Sequence, residues 1–536
     1  MSIIAYSNRT SKKCALPFML LAGASLSFGQ FPVPTYHYNN SRTGWNSSET
    51  ILTPANVNST TFGVLNTIVL DDQVDGQPLM VPNVKITAGA QPGVHTVVYV
   101  ATEGNTVYAI DANSGSILLS PNFGKPVSMP LGCNNNGPNV GINSTPAIDP
   151  VGGLLYVIVY NQTASGQAYF IHALDLGSLT DKVAPLQITV SHALSNGSVY
   201  TFNATVQRQR PGLLVANGNV YAGFGSFCDF ATNLSRGWLL GWQTGTLTPL
   251  ASNQLLDTQP TSPDSFFLSS IWMSGYGLAA DHAGNVLFVT GNSDFSGTTY
   301  DGVTNIQESV VKVSSNLTTV VDLFTPSNQP SLDETDGDFG SGGVMLLPEQ
   351  PGAVAHMAVA AGKDGNMYLM NENDLGGHST TTNHVLATVK IGDCWCGPSY
   401  FVDPKDGLAR VVSSGGSTVE VWKLTTSPSP ALTLVTSSPK IVSGTQNPGF
   451  FTSVSSNGTS NPIIWALSHP STASKSPIFL YAFDPENGGT TMNQLLKVQA
   501  GNWPNTGGNS NLDPVVTKGK VFVASHEQLQ IFGLLQ

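Results

Sequence analysis

From about residue 76 to the end of the chain, short apolar and β-branched runs alternate with Gly, Asn, Asp and Ser clusters. In His95-Thr-Val-Val-Tyr-Val-Ala-Thr-Glu-Gly-Asn-Thr-Val-Tyr-Ala-Ile-Asp-Ala-Asn-Ser-Gly115, one run covers Val97 to Ala101 and the next Thr106 to Ile110. Glu103-Gly104-Asn105 separates them and Asp111-Ala-Asn-Ser-Gly115 closes the unit. Runs of this length, split by residues that accept positive φ, predict β-hairpins.

Variants of the unit recur. Leu155-Tyr-Val-Ile-Val159 pairs with Phe170-Ile-His-Ala-Leu-Asp175, and Asn219-Val-Tyr-Ala-Gly223 with Trp238-Leu-Leu-Gly-Trp242. Val286-Leu-Phe-Val-Thr290 precedes Ser309-Val-Val-Lys-Val313, and Met357-Ala-Val-Ala-Ala361 precedes Met367-Tyr-Leu-Met-Asn371. Further copies centre on Ala409 to Ser413, Pro462 to Ala466 and Val521 to Ala524. With a first copy opening at Gly76-Gln-Pro-Leu79 there are eight units. Their spacing of roughly 55 residues exceeds that of common propeller repeats, and insertions at 179–207 and 295–308 account for the excess. Repeats of about four strands close radially and protect their sheet edges. The pattern predicts an all-β chain, an eight-bladed β-propeller of four-stranded antiparallel blades over residues 30–536. It also explains the low charge, 10 % of residues, because strands sandwiched between neighbouring sheets are apolar on both faces.

Residues 1–29 read differently. Arg9, Lys12 and Lys13 precede the apolar stretch Ala15 to Ala24, and Ser27 and Gly29 supply small residues before Gln30. That order predicts a cleaved secretory signal peptide and a secreted or periplasmic protein with no later transmembrane segment. Net charge is −12, so a nucleic-acid partner is not expected. Export makes disulfides the default for Cys133, Cys228, Cys394 and Cys396. The preferred pairing is Cys133 with Cys228. Cys394-Trp395-Cys396 looks too close for an easy mutual bridge and is left strained, free or metal-bound.

Tyr99-Val-Ala-Thr-x-Gly-Asn-x-Val-Tyr-Ala-Ile-Asp-Ala-x-Ser-Gly115, Ala361-Gly-Lys-Asp-Gly-Asn-Met-Tyr-Leu-Met-Asn371 and Leu480-Tyr-Ala-Phe-Asp484 resemble the repeat of the pyrroloquinoline-quinone (PQQ) propeller superfamily. Asn40-Ser-Arg-Thr-Gly-Trp45 is similar to that superfamily's N-terminal lead-in. The resemblance implies the propeller fold. Its catalytic branch, the quinoprotein alcohol dehydrogenases, implies a PQQ ring stacked on a Trp and a disulfide of adjacent cysteines, with calcium or a lanthanide beside it. Carried over residue by residue, Asp338 would be the base and Asn292 a metal ligand. Lys363 would contact the quinone and Trp272 would be the stacking aromatic. A carboxylate there could take an alcohol's hydroxyl proton while the cofactor carries the electrons.

Plainer roles stand beside these. Gly291-Asn292 could be a turn, Asp338 part of a solvated acidic loop Asp333-Glu-Thr-Asp-Gly-Asp338, and Lys363 a hairpin residue. Trp238, Trp242 and Trp272 could pack between blades. The sequence has no adjacent Cys-Cys, no Cys-x-x-Cys-His haem motif and no matching metal-binding Glu in the second or third repeat. The ten histidines are scattered without a His-Glu-x-x-His. Because the superfamily also holds non-catalytic scaffolds, the leading expectation is a binding or scaffold protein for a protein, glycan or small-molecule partner. The alternative is a PQQ- and metal-dependent alcohol or sugar dehydrogenase, and a calcium-stabilised lyase or hydrolase is a third reading.

Overall fold

The computed structural model describes residue 1 and residues 32–133, 137–228, 234–261, 266–294, 296–441, 449–470, 476–504 and 510–536. The expected signal peptide lies outside the described residues. Among them, no helix is long and apolar enough to cross a membrane.

Alternation along each strand builds the fold. In the strand Gly93–Ala101, Val97, Tyr99 and Ala101 pack toward the sheet that contains Leu155 and Val157. Val98 and Val100, on the other face, pack toward the sheet that contains Phe522 and Ile531. Successive side chains therefore serve two different neighbours, and an unbroken apolar run is the result. The strands Val107–Asp111 and Met357–Ala361 are buried at every position for the same reason.

Among the described residues, eight sheets of three or more strands follow one another, with three to five strands rather than a uniform four. The first is Leu79–Ile86, Gly93–Ala101, Val107–Asp111 and Ile117–Leu119, paired antiparallel in that order. The fourth is built on Ala279–Ala280, Val286–Val289, Val310–Val313 and Val320–Thr325, with Gly377–His378 added in parallel at its edge. The fifth comprises Val344–Leu346, Met357–Ala361, Asn366–Asn371 and Ala387–Lys390. Apolar clusters join each sheet to the next, and one cluster joins the last sheet to the first through Ile68, Leu70, Phe522, Met80 and Val98. This is a β-propeller.

Closure comes from the chain ends. Phe62–Gln73 is a strand of the last sheet, antiparallel to Lys520–Leu534 from Phe62↔Leu534 to Gln73↔His526. The lead-in before it runs inward. Arg42 is fully buried, and its guanidinium donates to the carbonyls of Leu278, Tyr36 and Leu213 and to Thr35 Oγ1. Burial lowers its pKa to about 10, and these acceptors compensate its lost hydration. One cation thereby ties the N-terminal segment to the third and fourth sheets.

Cys133 and Cys228 are bridged, as the preferred pairing has it. Cys394 and Cys396 are bridged as well, which corrects the expectation that their spacing disfavours it. The turn through Trp395 brings the two Cα atoms to 5.0 Å, inside the range a disulfide needs. Trp238 and Trp242 are blade-packing residues in the cluster between the second and third sheets.

Candidate functional site

The segments that lead into the innermost strands of successive sheets carry the polar residues that converge. Trp272 precedes Ala279–Ala280, Asp338 precedes Val344–Leu346, and Trp395 precedes the strand Ser399–Val402. Arg210 lies between the strands Gln207–Gln209 and Leu214–Ala216 of the third sheet.

Local structure aims Asp338 inward. A short helix, Gln329–Thr335, has Pro330 in its first turn and buried Leu332 as its anchor. It ends at Asp336, whose φ of 57° is left-handed, and the amides of Asp336 and Gly337 return to the Leu332 carbonyl. The reversal drives Asp338 under the surface, where its side chain is 0 % exposed. The acidic stretch read as a solvated loop is thus helix up to Thr335, with Glu334 and Asp336 exposed and Asp338 alone fully buried. Gly340-Ser-Gly-Gly343 enters the strand Val344–Leu346 through a 3-10 turn, Phe339–Ser341. Side chains at Gly340, Gly342 and Gly343 would run into Gly291, Ala361 and Tyr276 respectively, so close backbone packing selects these glycines.

All four residues singled out in the sequence meet here. The Asn292 amide donates to Asp338 Oδ1 at 2.8 Å, and Lys363 Nζ donates to Asp338 Oδ2 at 2.6 Å. Lys363 also donates to Asp336 Oδ1 at 3.0 Å, and the Asn292 side-chain amide donates to the same oxygen at 3.3 Å. Trp272 touches the group from the side. The Lys363 ammonium lies 5.6 Å from its ring centre and 4.7 Å from that of Trp395. The two indoles meet edge to face at 5.5 Å, and the Arg210 guanidinium lies 5.4 Å from Trp272. Ser341 Oγ hydrogen-bonds the Asp338 and Cys394 carbonyls, which fastens the bridged Cys394-Trp395-Cys396 turn to the acidic turn.

The charge balance is tight. Burial would lower the Lys363 pKa, but the Asp338 and Asp336 carboxylates raise it well above its ordinary value. Burial and the Asp338 charge raise Asp336 in turn. Asp333, bonded by the Ser293 amide at 2.7 Å and by Gln307 Nε2 at 2.9 Å, is raised by burial to about 6.

Glu308 was not singled out by sequence reasoning. Fully buried, it accepts the Phe339 amide on Oε2 at 2.6 Å, while Oε1 has no hydrogen-bond partner among the described residues. Burial, with Asp338 and Asp333 adding to it, pushes its carboxyl well above the usual range. Its backbone sits at φ 50°, a conformation that carries strain for a non-glycine residue. The only sequence signal for it is an acid immediately before the apolar run of the strand Val310–Val313. Trp395 and Arg210 were missed as well. The first sits in a Cys-x-Cys spacing read as unfavourable, and the second in a repeat without distinguishing pattern.

A second polar group adjoins on the side of Arg210. Glu103 is fully buried and accepts the Gly141 amide and Asn143 Nδ2, each at 2.5 Å. Asn143 also donates to Asp75 at 2.6 Å and accepts from Arg208 Nε at 2.8 Å. Burial raises both Asp75 and Glu103.

No protein-family model and no curated protein sequence matches the chain. Solved structures do. Quinohemoprotein alcohol dehydrogenase from Comamonas testosteroni superposes with a TM-score of 0.59 at 14 % identity, over 94 % of this chain and 80 % of that one. The chain has the fold of the quinoprotein alcohol dehydrogenases. A quinohemoprotein alcohol dehydrogenase from Pseudomonas putida HK5 gives 0.58 at 13 % identity, covering 94 % of this chain and 80 % of that one. A europium-containing methanol dehydrogenase gives 0.56 at 12 % identity over 95 % and 99 % of the two chains. At these identities the likeness establishes the fold, and the chemistry has to be argued from the residues.

The residues present fit the groups that the quinoprotein fold implies. Two indole faces, Trp272 and Trp395, beside the cations Lys363 and Arg210 suit a planar, multiply anionic ring. Buried Glu308 Oε1, without a hydrogen bond among the described residues, is an oxygen donor near Asp338, and the Glu308 amide bonds the Gly291 carbonyl just before Asn292. A carboxylate and carboxamide set of this kind suits a hard cation such as calcium or a lanthanide.

Proposed function

We propose that this chain is an exported quinone-dependent dehydrogenase of alcohols or sugars, with Asp338 as the general base. The observation that carries the reading is the meeting of Asp338, Lys363, Asn292 and Trp272. These residues come from separate stretches of sequence, and a propeller without chemistry at this place has no reason to gather them. The binding-scaffold expectation has no comparable observation behind it, and the enzyme reading takes its place.

Asp338 takes the hydroxyl proton of the substrate. The Asn292 backbone amide fixes the orientation of its Oδ1, and the Lys363 ammonium offsets the charge of this buried side chain. Lys363 stays cationic across the physiological range because both neighbouring carboxylates raise its pKa. Trp272, Trp395 and Arg210 would form the wall for a flat cofactor, and the Cys394–Cys396 bridge sets the position of Trp395. Glu308 and Asn292 would hold the cation, as a carboxylate and a carboxamide oxygen donor. When bound, PQQ supplies the two-electron acceptor for the hydride that leaves the substrate carbon. The two disulfides suit a secreted or periplasmic location.

The test is dye-linked oxidation by the mature protein with PQQ and either calcium or lanthanum, across a panel of primary alcohols and sugars. Turnover that Asp338→Asn lowers by about 10²–10⁴-fold supports the assignment. Absence of turnover with every substrate, or unchanged turnover in the variant, overturns it.

A further inference from the structure

At the other end of the same central strands lies a second cluster that the proposed chemistry does not use. In the fifth sheet, Met357 pairs with Asn371, so His356 and Glu372 stand side by side just beyond that pair. The Glu372 amide hydrogen-bonds the His356 carbonyl at 3.0 Å, which fixes the two backbones. His282 comes from the fourth sheet, in the tight turn between Ala279–Ala280 and Val286–Val289 that Asp281 and Asn285 close. Its ring stacks on that of His356 with centroids 4.1 Å apart. One ligand atom from each of His282, His356 and Glu372 lies within 4.8 Å of the others.

The carboxylate is the telling member. Glu372 Oε1 sits on a side chain only 3 % exposed, has no hydrogen-bond partner among the described residues, and lies at ion-pair distance, 3.2 Å, from His282 Nδ1. Tetrahedral ligands on bonds of roughly 2.0–2.1 Å stand about 3.3–3.4 Å apart, so this pair is already at chelating distance. His282 is half exposed and can turn about its side-chain bonds to bring the rest of the set to the same spacing. Burial and the nearby Asp281 raise the Glu372 carboxyl, while Lys312, His282 and His356 act against them. The surrounding charges are accounted for. Lys312 Nζ pairs with Asp281 at 2.9 Å and donates to the Glu372 backbone carbonyl at 2.9 Å, so it does not contact Oε1.

We propose that His282, His356 and Glu372 form a binding site for a divalent transition metal of the zinc or copper class, which staples the fourth sheet to the fifth. Two imidazoles and one carboxylate select such an ion over calcium, which needs six or more oxygen ligands. The exposed side of His282 leaves a coordination position open to water. The site is separate from the Asp338 group. His356 precedes the strand Met357–Ala361 and Lys363 follows it, which at 3.3 Å per residue puts them roughly 20 Å apart.

The experiment uses untagged, chelator-stripped protein in excess calcium, which occupies any oxygen-rich site. It is titrated with zinc by calorimetry and then loaded with one equivalent of Cu²⁺ for electron paramagnetic resonance. The expected result is one tight zinc equivalent, a rise in thermal midpoint on loading, and a copper signal with superhyperfine splitting from two nitrogens. His282→Ala, at an exposed turn, and Glu372→Gln are each expected to abolish the zinc equivalent and the thermal shift while circular dichroism stays that of the parent. No saturable zinc uptake, uptake that persists in His282→Ala, or a copper signal without two nitrogens overturns the proposal.

Discussion

Asp338 is a buried acid whose two oxygens are held by one amide and one ammonium, and the account of the site depends on that pair. Replacing Lys363 by Met removes the cation and leaves the carboxyl buried beside Glu308 and Asp336. Breaking a buried pair from one side costs about 3–5 kcal/mol, and urea denaturation of Lys363→Met is expected to show a loss of that order. Asp333 provides a pH signature. Its folded pKa of about 6 lies above the roughly 3.9 of an unfolded Asp, so the folded chain binds the extra proton between those values. Stability from this group therefore falls as pH rises from about 4 to about 6. Buried His469, lowered to about 4, acts in the opposite sense over an overlapping window. The difference between the parent and Asp333→Asn is thus the quantity to measure, and the variant is expected to lose the downward component of the stability–pH curve. At this scale, Asp338, Lys363, Asn292 and Trp272 were legible because each lies in a short pattern tied to a strand or turn. Glu308 and Arg210 were not, because their significance comes from partners in other segments. The same holds for His282 and His356, scattered in sequence and stacked in space.

Elements explain how single residues come to be so placed. The Gly291 turn is the clearest case. A Cβ there would meet Trp272 Nε1 at 2.6 Å and Asp338 Oδ1 at 2.8 Å. The glycine that looked like a turn residue is therefore also the point where backbone, indole and carboxylate close up. Gly291→Ala is expected to cost about 1–3 kcal/mol in urea unfolding and to displace Trp272 or Asp338, with a larger loss of turnover than of stability. Strands were read well from period and turn residues because alternate positions feed two separate apolar clusters, as in Val97 to Ala101. The helix Gln329–Thr335 was not, since seven residues rich in acid carry too little periodicity to distinguish a helix from a loop. The Cys394–Cys396 bridge was judged on spacing alone, and the turn geometry that permits it is invisible in the spacing.

For the whole molecule, closure is the controlling feature. Phe62–Gln73 falls outside the eight units read along the sequence because only its partner, Lys520–Leu534, makes it a strand of the last sheet, and that partner lies at the far end of the chain. The Cys133–Cys228 bridge closes a span of 95 residues between the first and third sheets. Removing it frees a long loop in the unfolded chain. The Cys133→Ser, Cys228→Ser double variant is expected to lose about 2–4 kcal/mol in chemical denaturation while retaining the native circular dichroism spectrum.

A propeller that gathers Trp272, Lys363 and Asp338 to hold a quinone should retain PQQ even without substrate. Equilibrium dialysis of the mature protein against micromolar PQQ with calcium is expected to retain one equivalent. Trp272→Ala and Lys363→Met, checked for native folding, are each expected to weaken that retention by at least tenfold. No retention by the parent chain, or equal retention by both variants, would contradict the account.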